Sequence, residues 1–144
     1  MRILAVDWGE RRIGLAVSDP QGVIASGLPT LTVRGREDAV EQVAKVAADR
    51  EADGIVVGLP LLLSGQAGEA ARAAERFANA LRERTGLKVE TYDERLTSAL
   101  SHRRMVEAGV RASARRGRVD QGAAVALLES YLQRLAARPD EARE

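Results

Sequence analysis

A chain of 144 residues with a formal net charge of +1 fits one ordinary domain, long enough for a continuous core and too short for two lobes closing on a cleft. No apolar run approaches the roughly 18 residues of a membrane span, and Met1-Arg2 leads straight into a strand-like run instead of a signal sequence. Cysteine is absent, which excludes disulfides, thiolate metal sites and cysteine nucleophiles, fits a reducing cytoplasm, and leaves any metal to oxygen or nitrogen ligands.

Ile3 to Val6 and Ile13 to Val17 are short apolar runs, and Val23-Ile24-Ala25 follows the turn residues Asp19-Pro20-Gln21-Gly22; three strands so closely joined are expected to pair antiparallel. After Leu31-Thr32-Val33 the period changes. Val40, Val43, Ala44 and Ala47 fall at helical spacing with Glu41 and Lys45 on the wet side, which predicts an amphipathic helix of about three turns. Gly54 to Gly58 reads as a buried strand ending at Leu59-Pro60, and a loop with Ser64, Gly65 and Gly68 leads to a second helix. In that helix Ala70, Ala74, Phe77 and Leu81 share a face, and Thr85-Gly86 closes it. Lys88 to Tyr92 makes a fifth strand, and Thr97 or Ser98 caps a third helix carrying Leu100 and Val106. Residues 109–119, with Gly109, Ser113 and Gly117 among arginines, read as a loop. Asp120 then opens a last helix with Ala124, Leu127, Tyr131 and Leu135 on one face. The expected architecture is one α/β domain over residues 1–138, a mixed five-stranded sheet with helices on its faces, and a frayed tail over 139–144.

Four features carry chemistry. Asp7, at the end of an interior strand in Asp7-Trp8-Gly9, is a carboxylate that costs free energy unless a cation compensates it; capping a hairpin turn is the structural alternative. Asp-x-Gly before a second glycine-bearing strand also opens sugar kinases and actin-like ATPases, but those need two lobes and this length supplies one. Asp93-Glu94-Arg95 follows the fifth strand, where parallel crossovers bring carboxyl ends to one sheet edge. Alternation sends Asp93 and Glu94 to opposite faces, so one of the two joins Asp7. Asp120 begins the core-facing stripe of the last helix, with an N-cap role as its alternative. Carboxylates so gathered suit Mg²⁺ or Mn²⁺ and, through paired ions, phosphodiester cleavage.

The fourth feature is basic. Of 22 cationic residues, only Lys45 and Lys88 are not Arg, and Arg103, Arg104, Arg111, Arg115, Arg116 and Arg118 are opposed in their interval only by Glu107. Their forked guanidinium groups match phosphate oxygens and would grip a nucleic-acid backbone. With one Trp, one Phe and two Tyr, the chain has little from which to build an aromatic platform for stacked bases. His102, the one histidine, reads as an exposed helix residue.

Asp7-Trp8-Gly9 with Arg12-Ile13-Gly14-Leu15-Ala16-Val17-Ser18-Asp19, then Val57-Gly58-Leu59-Pro60, then Asp93-Glu94-Arg95-Leu96-Thr97-Ser98, then Asp120 with Ala123-Ala124, resemble the YqgF/RuvX family in order over nearly the whole chain. The resemblance implies an RNase H-like fold and divalent-metal nuclease chemistry. It also implies a role in trimming the 5′ end of precursor 16S ribosomal RNA, or, by analogy with RuvC, in resolving Holliday junctions. It makes Asp7, Glu94 and Asp120 the metal ligands, choosing Glu94 over Asp93, while Arg95 and the glycines shape the site; Arg12 and Arg95 are expected to join the basic segment in binding nucleic acid. One departure is Leu61-Leu62-Leu63-Ser64-Gly65, where the family carries a polar stretch; three exposed leucines there would mark an interface. Resolvase action demands a symmetric dimer, RNA trimming allows a monomer or homodimer, and a catalytically silent ribosome-assembly factor would keep the basic segment without needing all three acids.

Overall fold

The computed structural model describes residues 1–62, 64–96 and 112–137, with side chains in the last span described from residue 122 onward. Three strands come first: β1 (Ile3–Asp7), β2 (Arg12–Ser18) and β3 (Ala25–Thr32). Then follow α1 (Arg36–Asp49), β4 (Gly54–Leu59), α2 (Glu69–Thr85) and β5 (Lys88–Asp93). A short 3₁₀ turn, Glu94–Leu96, ends this run, and the long α3 covers Ala112–Ala137. The sheet order is β3-β2-β1-β4-β5. β1 and β2 pair antiparallel, as do β2 and β3, whereas β4 lies parallel to both β1 and β5. The expected mixed sheet is therefore present.

Every residue of β1 is buried, as its place in the middle of the sheet requires, and alternation splits the molecule into two cores. Leu4 and Val6 join Ile13, Leu15, Ile55, Val57 and Val89 under α1 and α2, around Phe77 and Leu81. Ile3 and Ala5 join Ala16, Val56 and Tyr92 under Ala124, Leu127, Leu128, Tyr131 and Leu132 of α3. The predicted stripe of α1 is buried as expected, and Gly86 closes α2 in the left-handed conformation at φ 71°.

Three expectations need correction. The third strand begins at Ala25, where it was expected to end, because the backbone N–H groups of Val23 and Ile24 donate to Asp19 Oδ1 at 2.7 and 2.8 Å instead of to a neighbouring strand. Both side chains are left outside, 71% and 64% exposed. On α2 the inward alanine of the first turn is Ala71, not Ala70, which is exposed. Finally, α3 starts at Ala112, so 112–119 is helix where a loop was expected and Asp120 is not its N-cap. Ala112, Ala114, Arg115, Arg116 and Arg118 are strong helix formers, and one interior Gly117 costs only about 1 kcal/mol against them. The expected third helix with Leu100 and Val106, together with His102, Arg103, Arg104, Glu107, Gly109 and Arg111, lies outside the described residues, as does the tail from Pro139. Among the described residues no helix is long and apolar enough to cross a membrane.

Candidate active site

Parallel pairing of β1, β4 and β5 brings their carboxyl ends to one edge of the sheet. Asp7 closes β1 there and is 8% exposed. Its face follows from alternation: Ile3 and Ala5 belong to the core under α3, so Asp7 does too. Across the antiparallel pair stands Gly14. On the other flank, one step past the pair Val6–Val57, stands Gly58. The carboxylate thus has a residue without a side chain on either hand, in a strand that elsewhere is fully packed.

Glu94, in the turn after β5, is 1% exposed. Its position is set by Gly58, which pairs with Tyr92: a Cβ on Gly58 would lie 2.5 Å from Glu94 Oε1 and 3.1 Å from its Cγ. The glutamate therefore folds back over β4 through space that only glycine leaves open, toward the strand that carries Asp7. Gly9 is constrained in another way, since a Cβ there would collide with the carbonyl oxygen of Arg12. That collision would force apart the turn that follows Asp7.

Asp93 goes elsewhere. Its carboxylate accepts from Arg95 Nε at 3.1 Å and Nη2 at 2.7 Å and from the Arg95 backbone N–H at 2.9 Å. The Arg95 side chain, by its hydrogen bond above all, holds the Asp93 carboxyl below the usual aspartate range despite partial burial. The guanidinium lies against Gly65, 3.5 Å from where a Cβ would stand, and so pins the loop after β4 to the end of β5. The two adjacent acids thus occupy different surroundings, with Asp93 ion-paired and Glu94 buried under the α3 side.

The wall on that side is polar where it meets β5. Tyr131 Oη donates to Glu90 at 2.9 Å, and Tyr92 Oη shares a 2.9 Å hydrogen bond with Ser130 Oγ. Burial first, and the Glu90 carboxylate second, push the Tyr131 hydroxyl well above its ordinary value. Burial raises Glu90, but the ammonium of Lys88 and the Tyr131 hydroxyl together outweigh it and bring Glu90 below the usual range.

Of the other residues singled out from sequence, Arg12 is half-buried at the start of β2, beside Gly14. Asp120 lies in α3 one turn before Ala124, and Arg115, Arg116 and Arg118 precede it on the same helix. Arg103, Arg104 and Arg111 are outside the described residues. Among the described side chains, which do not include that of Asp120, no three metal-ligating groups gather. Leu62 is 52% exposed and Leu61 half-buried, while Leu63 is outside the described residues. Sequence reasoning assigned no part to Gly58 in placing Glu94; its signal was a glycine inside an otherwise β-branched run, which marks a close approach. It also passed over Trp8, which alternation turns to the opposite core, stacked on Phe77 at 4.6 Å.

A family model described as RuvX, Holliday junction resolvase, matches residues 1–134. A protein of Frankia casuarinae named "Putative pre-16S rRNA nuclease" is 45% identical over 90% of this chain, which spans 65% of that relative's length. One of the same name from Chloroflexus aurantiacus is 37% identical over 99% of this chain and 93% of its own. Among solved structures, RuvC of T. thermophilus in complex with a Holliday junction substrate superposes with a TM-score of 0.56 at 18% identity, covering 94% of this chain and 96% of that one. The fowlpox virus Holliday junction resolvase gives 0.54 at 15%, covering 94% and 99%. These likenesses establish the RNase H-like fold, and the family match together with the relatives' identity establishes descent: this chain is a member of the RuvX family.

Proposed function

We propose that the protein is a divalent-metal nuclease that hydrolyses phosphodiester bonds of RNA in the cytoplasm, in 5′-end maturation of precursor 16S ribosomal RNA. The observation that carries the reading is that two buried carboxylates, Asp7 at the end of β1 and Glu94 folded against Gly58 of the neighbouring β4, lie at the same edge of the sheet. Hard oxygen donors in a chain without cysteine suit Mg²⁺ or Mn²⁺, and the space flanking Asp7 at Gly14 and Gly58 suits a phosphate that must come close. Asp7 would be shared between two ions, with Glu94 and Asp120 completing them. Leu132 of α3 packs beside Gly22, at the end of the sheet where β1 begins. Twelve residues earlier, about 18 Å along the helix, Asp120 would come near the level of Asp7, about 20 Å along β1 from Met1.

When bound, such ions supply positive charge to the attacking water and to the leaving oxygen. The chain's own part is to bring the carboxylates to one sheet edge, to close off one side of that edge with α3, and to hold the strand. Arg12, Arg95, Arg103, Arg104, Arg111, Arg115, Arg116 and Arg118 would grip backbone phosphates. The names of the relatives in Frankia and Chloroflexus favour RNA. The family description favours a four-way DNA junction instead, which requires a homodimer presenting two sites. Purified protein with Mg²⁺ or Mn²⁺, set against precursor rRNA, unstructured RNA and four-way DNA junctions, tests both. Cleavage of precursor rRNA is the expected result. Preference for the junction would reverse the choice of substrate, and no cleavage of any of the three would remove the nuclease reading.

A further inference from the structure

On the other side of the same sheet edge lies a cleft of about 520 Å³. It opens where the chain leaves β1 and where it leaves β3. Trp8 and Val33, both buried, form its floor, and Arg11, Arg34 and Arg36 stand on its rim, all exposed. The two segments are tied together by the Val33 backbone N–H, which donates to the Arg11 carbonyl at 2.8 Å. Elsewhere among the described residues Arg84 pairs with Glu41, Arg72 with Glu69 and Arg95 with Asp93, while Arg50 and Arg76 stand singly on the surface. Among the described residues, Arg11, Arg34 and Arg36 have no ion-pair partner.

The surroundings add positive character. Gly35, at φ 146°, caps α1 without a side-chain hydrogen bond, so the first N–H groups of that helix meet no side chain of the chain at the cap. Acids near the cleft are Glu10 on its wall and Glu37 and Asp38 in the first turn. Asp38 is occupied by the Arg34 backbone N–H and Gln42 Nε2. Three permanent, unpaired cations around one concavity hold a self-repelling arrangement that an anion relieves.

From this we infer that the Arg11–Arg34–Arg36 cleft is a phosphate-binding subsite for the nucleic-acid strand, holding backbone phosphates that lie beyond the bond being cut. The inference rests on the nuclease reading for its ligand and extends it to residues on the face opposite α3. Its location fits. Trp8 follows Asp7 directly, and β2 and β3 stand about 5 and 10 Å from β1 across the sheet, so a strand laid over Asp7 and Glu94 passes over the edge to the cleft. The floor is mostly apolar and Trp8 is already stacked on Phe77, which fits backbone contact without base reading.

The test is binding of a labelled single-stranded RNA oligonucleotide in chelator, as a function of salt. Changing Arg11, Arg34 and Arg36 together to Gln should lower the log-log salt slope by about 2 and weaken binding about a hundredfold near 0.1 M salt, from roughly 0.7 per phosphate contact on a single strand. Changing all three to Lys should keep the slope, since the charges remain. Arg50→Gln, at the opposite edge of the sheet, should change neither slope nor affinity. Single Gln variants, each expected to remove about 0.7 from the slope, preserve the test if the triple variant does not fold. An unchanged slope in the Gln variants, or an equal loss in the Lys variant, would overturn the inference. The nuclease reading is scored apart, by wild-type cleavage with Mn²⁺. Cleavage with an inert cleft overturns the subsite alone, and arginine-dependent binding without cleavage overturns the nuclease alone.

Discussion

The two faces of the sheet are built from different materials. Under α1 and α2 the core is almost wholly apolar, with Phe77, Trp8, Leu81, Ile13 and Leu15 filling it. Under α3 the core among the described residues is smaller, formed around Ala5, Ala16 and Ala124, and is bordered by Asp7, Glu94, Glu90 and hydroxyls. One face can be packed for stability because the other carries the carboxylates. The contrast teaches where a substitution should be felt as unfolding and where as lost chemistry.

The largest effect belongs to the apolar face. Phe77→Ala removes a fully buried ring stacked on Trp8 and should cost about 3–5 kcal/mol of stability, measured by urea unfolding. A loss below about 1 kcal/mol would mean that this face is not the stabilising one. Next come the acids. Asp7→Asn, Glu94→Gln and Asp120→Asn should each slow cleavage at least about a hundredfold, equivalent to about 2.7 kcal/mol of barrier. On the nuclease reading they would act as a unit, so the three together should be far from additive. Apo Asp7→Asn should melt no lower than wild type and gain less from Mn²⁺, since it removes a like charge as well as a ligand. An Asp7 that only caps a turn gives the reverse.

A smaller effect sharpens the comparison at one atom. Gly58→Ala puts a methyl group where the Glu94 carboxylate lies and should reduce Mn²⁺ affinity by about 10- to 100-fold, the usual range for groups that position a ligand. Shortening the acid in Gly58→Ala/Glu94→Asp should recover part of it. Equal loss in the single and double variants would show that Gly58 matters for folding and not for placing Glu94. The smallest effect is that of Asp93→Asn. Because Arg95 lowers the folded-state pKa of Asp93, its contribution is full above the ordinary value of 3.8 and vanishes as pH falls through the lowered one. The variant should therefore be less stable by up to about 1 kcal/mol at neutral pH, and melting curves should converge with wild type in acid. A gap that widens in acid would contradict the pairing.

What was legible in the sequence follows the same division. Val40, Val43, Ala44 and Ala47 declared α1 because a buried apolar stripe has a period that nothing else imitates. The edge strand β3 was misplaced: Ser26, Gly27 and Pro29 are poor strand residues tolerated at an edge, whereas Val23 and Ile24 look like strand and belong to a loop held by Asp19. Asp7 stood out as a charge closing an apolar run. The separate surroundings of Asp93 and Glu94 did not, since alternation says only that they differ. It was the Arg95 fork, a contact two residues away whose side-chain direction alternation does not fix, and the gap at Gly58, an approach between segments distant in sequence, that distinguished them.

The order of elements along the chain has a consequence for how the protein is made. β1 precedes its parallel neighbour β4, which begins 51 residues after it does, at Gly54, and α3, which roofs the carboxylate side, follows both. Pairing across such separations is slow to nucleate. A nascent chain that stops short of Ala112 carries Asp7 and Glu94 but lacks the helix that covers their face, so that face is roofed only after both acids have been made. On the nuclease reading, a chain still short of α3 would thus lack Asp120 and with it a complete site.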